Sequence, residues 1–110
     1  MARDEGLEEL LRADLEDVAG LTEKPMFGGL AWLLNGHLLC GARQDGMLIR
    51  LGKGLDAWAL ALPGIGPMIM RGRPMQGWAR AEPVAFGDDD LRRNLLRAAV
   101  AFVGTLPAKW

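Results

Sequence analysis

The residues able to do nucleophilic or acid–base chemistry are few: one cysteine, Cys40, one histidine, His37, and carboxylates gathered mainly in the first 23 residues and at Asp88, Asp89 and Asp90, with Asp45, Asp56 and Glu82 apart from them. A thiol nucleophile needs a base within hydrogen-bond reach. His37 and Cys40 stand three apart in an apolar run, and residues three apart on a regular strand point to opposite faces. That spacing predicts no dyad. One histidine and one cysteine also fall short of a zinc ligand set, and the aspartate triplet precedes an apolar-periodic stretch where helix capping accounts for it. The chain is therefore expected to be no enzyme and to hold no cofactor and no metal. A single cysteine leaves no intrachain disulfide, and inside a core it behaves as a small hydrophobe.

The elements that position these groups centre on Lys24 to Gly52, KPMFGGLAWLLNGHLLCGARQDGMLIRLG, three apolar runs separated by Asn35-Gly36 and Asp45-Gly46. Both dipeptides tolerate positive φ, as two-residue hairpin turns require, so the stretch reads as a β-meander. With each dipeptide as the loop, Leu34 faces His37, Trp32 faces Leu39, Ala31 faces Cys40 and Ala42 faces Ile49. Strand alternation then assigns faces. Gly29, Ala31, Leu33, Leu38, Cys40, Ala42, Met47, Ile49 and Leu51 form an uncharged face suited to packing beneath helices. The other face gathers Trp32, Leu39, Arg43, Leu48 and Arg50. It is too apolar for a solvated surface and too charged for a closed core. Two readings stand: a contact surface, or a face covered by another segment of the same chain.

Flanking elements complete the plan. Leu7, Leu10, Leu11, Leu15 and Val18 recur at helical spacing over Asp4 to Ala19, with Gly20 as the stop. Glu8, Glu9, Arg12, Glu16 and Asp17 occupy the solvated side. Pro25 belongs at a strand start or an edge, and the pair Gly28-Gly29 predicts a bulge, a sharp bend or backbone that something approaches closely. Leu55 to Leu62 reads as a short helix with Leu55, Trp58, Ala59 and Leu62 on one packed face. Two extended pieces follow around an Arg71-Gly72-Arg73-Pro74 turn, then a strand Gly77 to Glu82 with Trp78 and Arg80 on one side. A last helix carries Leu91, Leu95, Ala98, Ala99, Phe102, Val103 and Leu106 inward, Arg92, Arg93 and Arg97 outward, and stops at Pro107. The order predicts an α+β fold: a two-layer sandwich of an antiparallel sheet with a β-meander, the N- and C-terminal helices on one face, in one domain over 1–110.

Half of the 110 residues are hydrophobic and a quarter charged, which suits one compact core. No apolar run reaches the length of a membrane span, and the acidic start does not resemble a leader, so a cytoplasmic protein without membrane contact is expected. Charge is uneven. Residues 1–23 carry net −6, residues 24–81 net +5, and the rest balances. The simplest account is internal, an acidic first helix lying beside a basic sheet edge.

Several short motifs in order resemble one family. Glu23-Lys24-Pro25-Met26-Phe27-Gly28-Gly29-Leu30, Asn35-Gly36, Arg50-Leu51-Gly52, Pro67-Met68 and Gly72-Arg73-Pro74-Met75-Gln76-Gly77-Trp78 look like the N-terminal domain of the TfoX/Sxy proteins, a likeness that covers nearly the whole chain. The resemblance implies an α+β fold shared with secretion-chaperone-like domains and a link to regulation of bacterial competence and DNA-uptake genes. Full-length members carry a further helical domain similar to DNA-binding modules, so the likeness is to a stand-alone N-terminal domain. Within these motifs Met26, Phe27, Gly28, Gly29, Gly36, Gly46, Gly72 and Pro74 read as structural.

The functional expectation is a regulatory interaction module. Trp32, Leu39, Arg43, Leu48 and Arg50, bordered by Arg73, Met75 and Trp78, would meet a protein partner or a second copy of the chain, since aromatics, Met and Arg are enriched in interface cores. The alternative is a single-stranded nucleic acid held by arginines beside stacking aromatics, opposed by the near-neutral total charge and the lack of a dense basic cluster.

Overall fold

A computed structural model describes residues 4–26 and 28–108. Asp4 caps the first helix by accepting a hydrogen bond from the Leu7 amide at 3.0 Å, and the helix, α1, runs Glu5–Asp14. Leu7, Leu11 and, just past its end, Leu15 are buried in the core. The helix stops well short of Ala19; Val18 still packs on the core from the turn that follows. Glu8, placed on the solvated side by periodicity, is instead buried.

Six strands form one antiparallel sheet among the described residues: β1 Leu21–Met26, β2 Gly29–Leu34, β3 His37–Arg43, β4 Gly46–Arg50, β5 Ile65–Met70 and β6 Arg73–Ala81, in the order β1-β2-β3-β4-β6-β5. Of the three prolines inside strands, Pro25 and Pro67 lie on the two edge strands, where a missing amide breaks no ladder bond on the outer side, and Pro74 is the second residue of β6. Two short helices, α2 Ala57–Leu60 and α3 Pro83–Phe86, and the closing helix α4, Asp89–Val103, complete the α+β fold. Asp88 caps α4 through the Leu91 amide at 3.1 Å. Buried residues of α1 and α4 share one large core with Trp32, Cys40, Met47 and Ile49, so both long helices cover the same face of the sheet.

The first hairpin turns at Asn35-Gly36 (φ 52° and 86°), with Leu34 opposite His37 as the dipeptide requires. One residue further on the register slips. A bulge sets Leu33 opposite Leu38 but Trp32 opposite Cys40 and Ala31 opposite Gly41. The extra residue is Leu39. From there on, the faces of β2 are reversed relative to β3: Trp32, Leu30 and Leu34 join Cys40 and Ala42 under the helices, and Ala31 and Leu33 lie on the opposite side. Trp32 and Leu39, 2% and 0% exposed, are therefore core residues and not part of an outward surface.

The second turn also differs from expectation, by two residues. Gln44 and Asp45 make it, Arg43 pairs with Gly46, and Ala42 faces Met47 instead of Ile49. An even shift preserves faces, so Cys40 remains inward and Arg43 outward. The turn residues keep negative φ and the left-handed step falls on Gly46 (φ 136°), whose Cα also lies close to the Ala81 carbonyl. Arg43 braces this turn through both carboxylate oxygens of Asp45, at 2.8 and 2.6 Å.

Within the acidic start, Asp14 is met by α4 and not by a basic sheet edge. Arg92, 1% exposed, donates from Nε to Asp14 at 2.6 Å and from Nη1 to Asp89 and to the Phe86 carbonyl, both at 2.9 Å. Burial opposes its charge, but the hydrogen bonds of Asp14 and Asp89 prevail and hold its pKa above the ordinary value. At the sheet the expected signs are inverted, with Arg12 of α1 donating to Glu23 of β1. Of the four residues expected on the packed face of α2, Leu55 and Trp58 are 57% and 45% exposed, while Ala59 is buried and Leu62 packs on the core.

Candidate interaction face

The sheet face away from the long helices is built by alternation along β3, β4 and β6. Gly41 and Arg43 point there from β3, Leu48 and Arg50 from β4, and Trp78 and Arg80 from β6, where Leu48 pairs with Arg80 and Arg50 with Trp78. β5 adds Met68 and Met70, and β6 adds Met75. Leu48, Met68 and Trp78 form a second apolar cluster, with Leu38, Met70 and Met75 half-buried around it. Every member comes from a strand, and among the described residues no helix contributes to it.

Arginines surround this cluster. The Arg50 guanidinium lies 5.9 Å from the Trp78 ring centre and 5.8 Å from that of Phe102 on α4, within cation–π range, and reaches the Leu38 carbonyl at 3.4 Å. Arg80 donates to the Asp45 carbonyl at 2.9 Å. The Arg43 hydrogen bond holds the Asp45 carboxyl below its ordinary pKa. Arg73, exposed, makes no ion pair among the described residues and sits beside the β5–β6 turn, Arg71-Gly72, in which Arg71 adopts a left-handed φ of 53°.

Of the surface residues proposed from sequence, Arg43, Leu48, Arg50, Met75 and Trp78 thus share this face, Arg73 stands at its rim, and Trp32 and Leu39 lie beneath the helices. Among the motif positions, Met26 and Gly29 close the β1–β2 hairpin around Gly28, Gly36 and Gly72 complete two-residue turns, and Pro74 pairs with Ile69. Phe27 lies outside the described residues. Gly29 has no room for a side chain, because a Cβ would run into the Ala42 carbonyl oxygen of β3. That is the close backbone approach the Gly28-Gly29 pair announced.

His37 and Cys40 call for a correction of reasoning. The bulge puts their register partners, Leu34 and Trp32, on one face, so opposite orientation is not what separates them. His37 Nε2 is 2.6 Å from the Pro107 carbonyl, and Cys40 is sealed in the core, where burial pushes the thiol well above its ordinary range. No three His, Cys, Asp or Glu side chains converge as metal ligands do among the described residues.

The most informative residue that periodicity misassigned is Arg92. It was placed on the outer side of the last helix, yet it continues the inward stripe of Leu95, Leu96, Ala99 and Val103.

An open antiparallel sheet with both long helices on one side, and on the other a cluster of strand residues whose centre, Leu48, Met68 and Trp78, is buried within a rim of Leu38, Met70 and Met75, defines a small α+β module. The family model of the TfoX N-terminal domain matches residues 13–103, and the chain belongs to that family. At family level it is a regulatory, competence-type module. No curated protein and no solved structure matches it significantly.

Proposed function

We propose that the chain is a cytoplasmic, non-enzymatic regulatory module that works by contact, through the sheet face of Arg43, Leu48, Arg50, Met75 and Trp78 with Arg73 at its rim. The occupant is a protein partner or a second copy of the chain. One observation carries this reading: an apolar cluster made wholly of strand residues, bare of any helix among the described residues and ringed by arginines. Met, Trp and Arg are the residue types that interface cores favour over solvent. Among the described residues no helix is long and apolar enough to cross a membrane.

Gel filtration with light scattering tests the second-copy form. A dimer is expected for the wild type and a monomer for M75E that keeps the wild-type circular dichroism spectrum, because Met75 is only half-buried. A wild type that stays monomeric removes the second copy and leaves a different protein as the occupant.

The same face supports single-stranded nucleic acid as the alternative, favoured by the exposed Arg71 and Arg73 at the hairpin tip. Fluorescence polarisation with labelled single- and double-stranded oligonucleotides decides it. A steep fall of affinity with salt would establish that reading, and a flat titration at low salt would end it.

A further inference from the structure

Away from the bare sheet face, α1 and α4 leave a groove of about 440 Å³ between them. Its apolar lining is Leu15 and Val18 on one side and Leu96 and Val100 on the other. Its polar lining is Asp14, Arg93 and Arg97. Arg93, Leu96, Arg97 and Val100 recur at spacings of three and four, so α4 presents one continuous amphipathic stripe to the groove.

The charge in this groove is not balanced. Asp14 is bound by the buried Arg92 at 2.6 Å, and Arg93 reaches only its other oxygen, at 3.4 Å. Arg97 makes no ion pair among the described residues; its Nη1 donates to the neutral Asn94 side chain at 2.8 Å. Two exposed guanidiniums therefore stand over an apolar floor with one carboxylate that a third arginine already holds. A site of this size falls in the range of small-molecule pockets.

We infer that this groove binds a small amphipathic carboxylate, its chain lying on Leu15, Val18, Leu96 and Val100 and its carboxylate received by Arg97 and Arg93. The ligand class follows from the lining. A bare inorganic anion would leave the apolar floor wet, and a neutral lipid would leave both guanidiniums unanswered. Charge-assisted bonds from arginine to carboxylate are the stronger kind, and a planar guanidinium suits a carboxylate. This inference is independent of the sheet-face reading, since the two surfaces lie on opposite sides of the sheet.

The test is a titration of the full chain, labelled with nitrogen-15, with decanoate and separately with decan-1-ol, followed by amide shift mapping. Saturable shifts are expected at Leu15, Val18, Leu96 and Val100 with decanoate, and decan-1-ol is expected to bind about tenfold more weakly or worse. R97A, which leaves both arginine contacts to Asp14 in place, should weaken decanoate about tenfold and leave decan-1-ol unchanged. V100E, at a half-exposed position, should abolish both. Equal binding of acid and alcohol, an R97A variant that binds decanoate like the wild type, or shifts that fall on β4 and β6 instead would each overturn the inference.

Discussion

Trp32 lies opposite Cys40, not opposite Leu39, and that one-residue slip puts Trp32 in the main core beneath the helices. With Leu39 bulged, Trp32 turns under the helices, whereas Trp78, aligned with Arg50 by the β4–β6 pairing, is the aromatic of the opposite face.

The main core and the border of the second cluster should therefore respond differently to truncation. Trp32→Ala removes a fully buried ring from the main core and is expected to cost about 3–5 kcal/mol, read from urea unfolding. Met75→Ala, at the half-buried border of the second cluster, is expected to cost less than about 1 kcal/mol. Equal losses would mean that the two faces are not packed as described.

Arg92 joins the end of α1 to the start of α4, and its removal strands Asp14, only 9% exposed in its side chain. Arg92→Ala is expected to destabilise by about 3 kcal/mol or more. Asp14→Ala added to it should cost far less than the two single losses combined, because the second change removes a charge already left without its main partner. A double-mutant cycle by chemical denaturation gives the coupling; strict additivity would contradict the buried link.

The Cys40 thiol supplies an alkaline limit. Burial raises its folded pKa, whereas in the unfolded chain it ionises near about pH 8.5. The folded state then holds one proton more than the unfolded state, so this contribution is fully present below pH 8.5 and declines above it, by about 1.4 kcal/mol per pH unit. Cys40→Ala should remove that part of the decline, seen as the difference between the two stability curves from pH 8 to 10. The native thiol should also resist disulfide reagents until the protein unfolds.

Asp45 acts with the opposite sign. Arg43 depresses its folded pKa, so its contribution is present above the unfolded value near about 3.9 and is lost as pH falls through the folded one. The carboxylate is 53% exposed, and solvent screening keeps the gain below about 1 kcal/mol. Asp45→Asn should lower stability at neutral pH by up to about 1 kcal/mol, with the difference from the wild type vanishing as pH falls through the folded pKa, so that the acid limb flattens slightly.

Arg71 adopts a left-handed φ that Asn and Gly tolerate far better. Arg71→Asn gives the β5–β6 turn the Asn-Gly pair that such turns prefer and should stabilise by about 0.5–1 kcal/mol. A melting temperature that falls would show that the arginine is held there by contacts.

Much of this architecture was legible from local chemistry. Asn35-Gly36 located the first hairpin, Asp88 the start of α4, and the inward Cys40 with outward Arg43, Leu48, Arg50 and Trp78 followed from alternation. The bulge was not legible, because Leu33-Leu34 and Leu38-Leu39 are doublets that satisfy the apolar pattern in either register. β1 was hidden for the opposite reason: its middle residues, Thr22 to Pro25, are exposed on both faces, so an edge strand carries no alternation to detect. α3 had a signal in Pro83, a favoured first helical residue. The ion cluster of Arg92 was obscured by its residue type, since arginine is rarely buried unless paired across the chain.

The account rests on contact through the strand face that Trp78 shares with Arg50. Site-specific photo-crosslinking in the native cell tests it most directly, with the photoreactive residue placed at Met75 or Arg73 on that face, and at Glu9 or Asn94 on the helix side. Adducts of one defined mass from Met75 and Arg73 and none from Glu9 and Asn94 are the predicted result; adducts confined to the helix-side positions would contradict it.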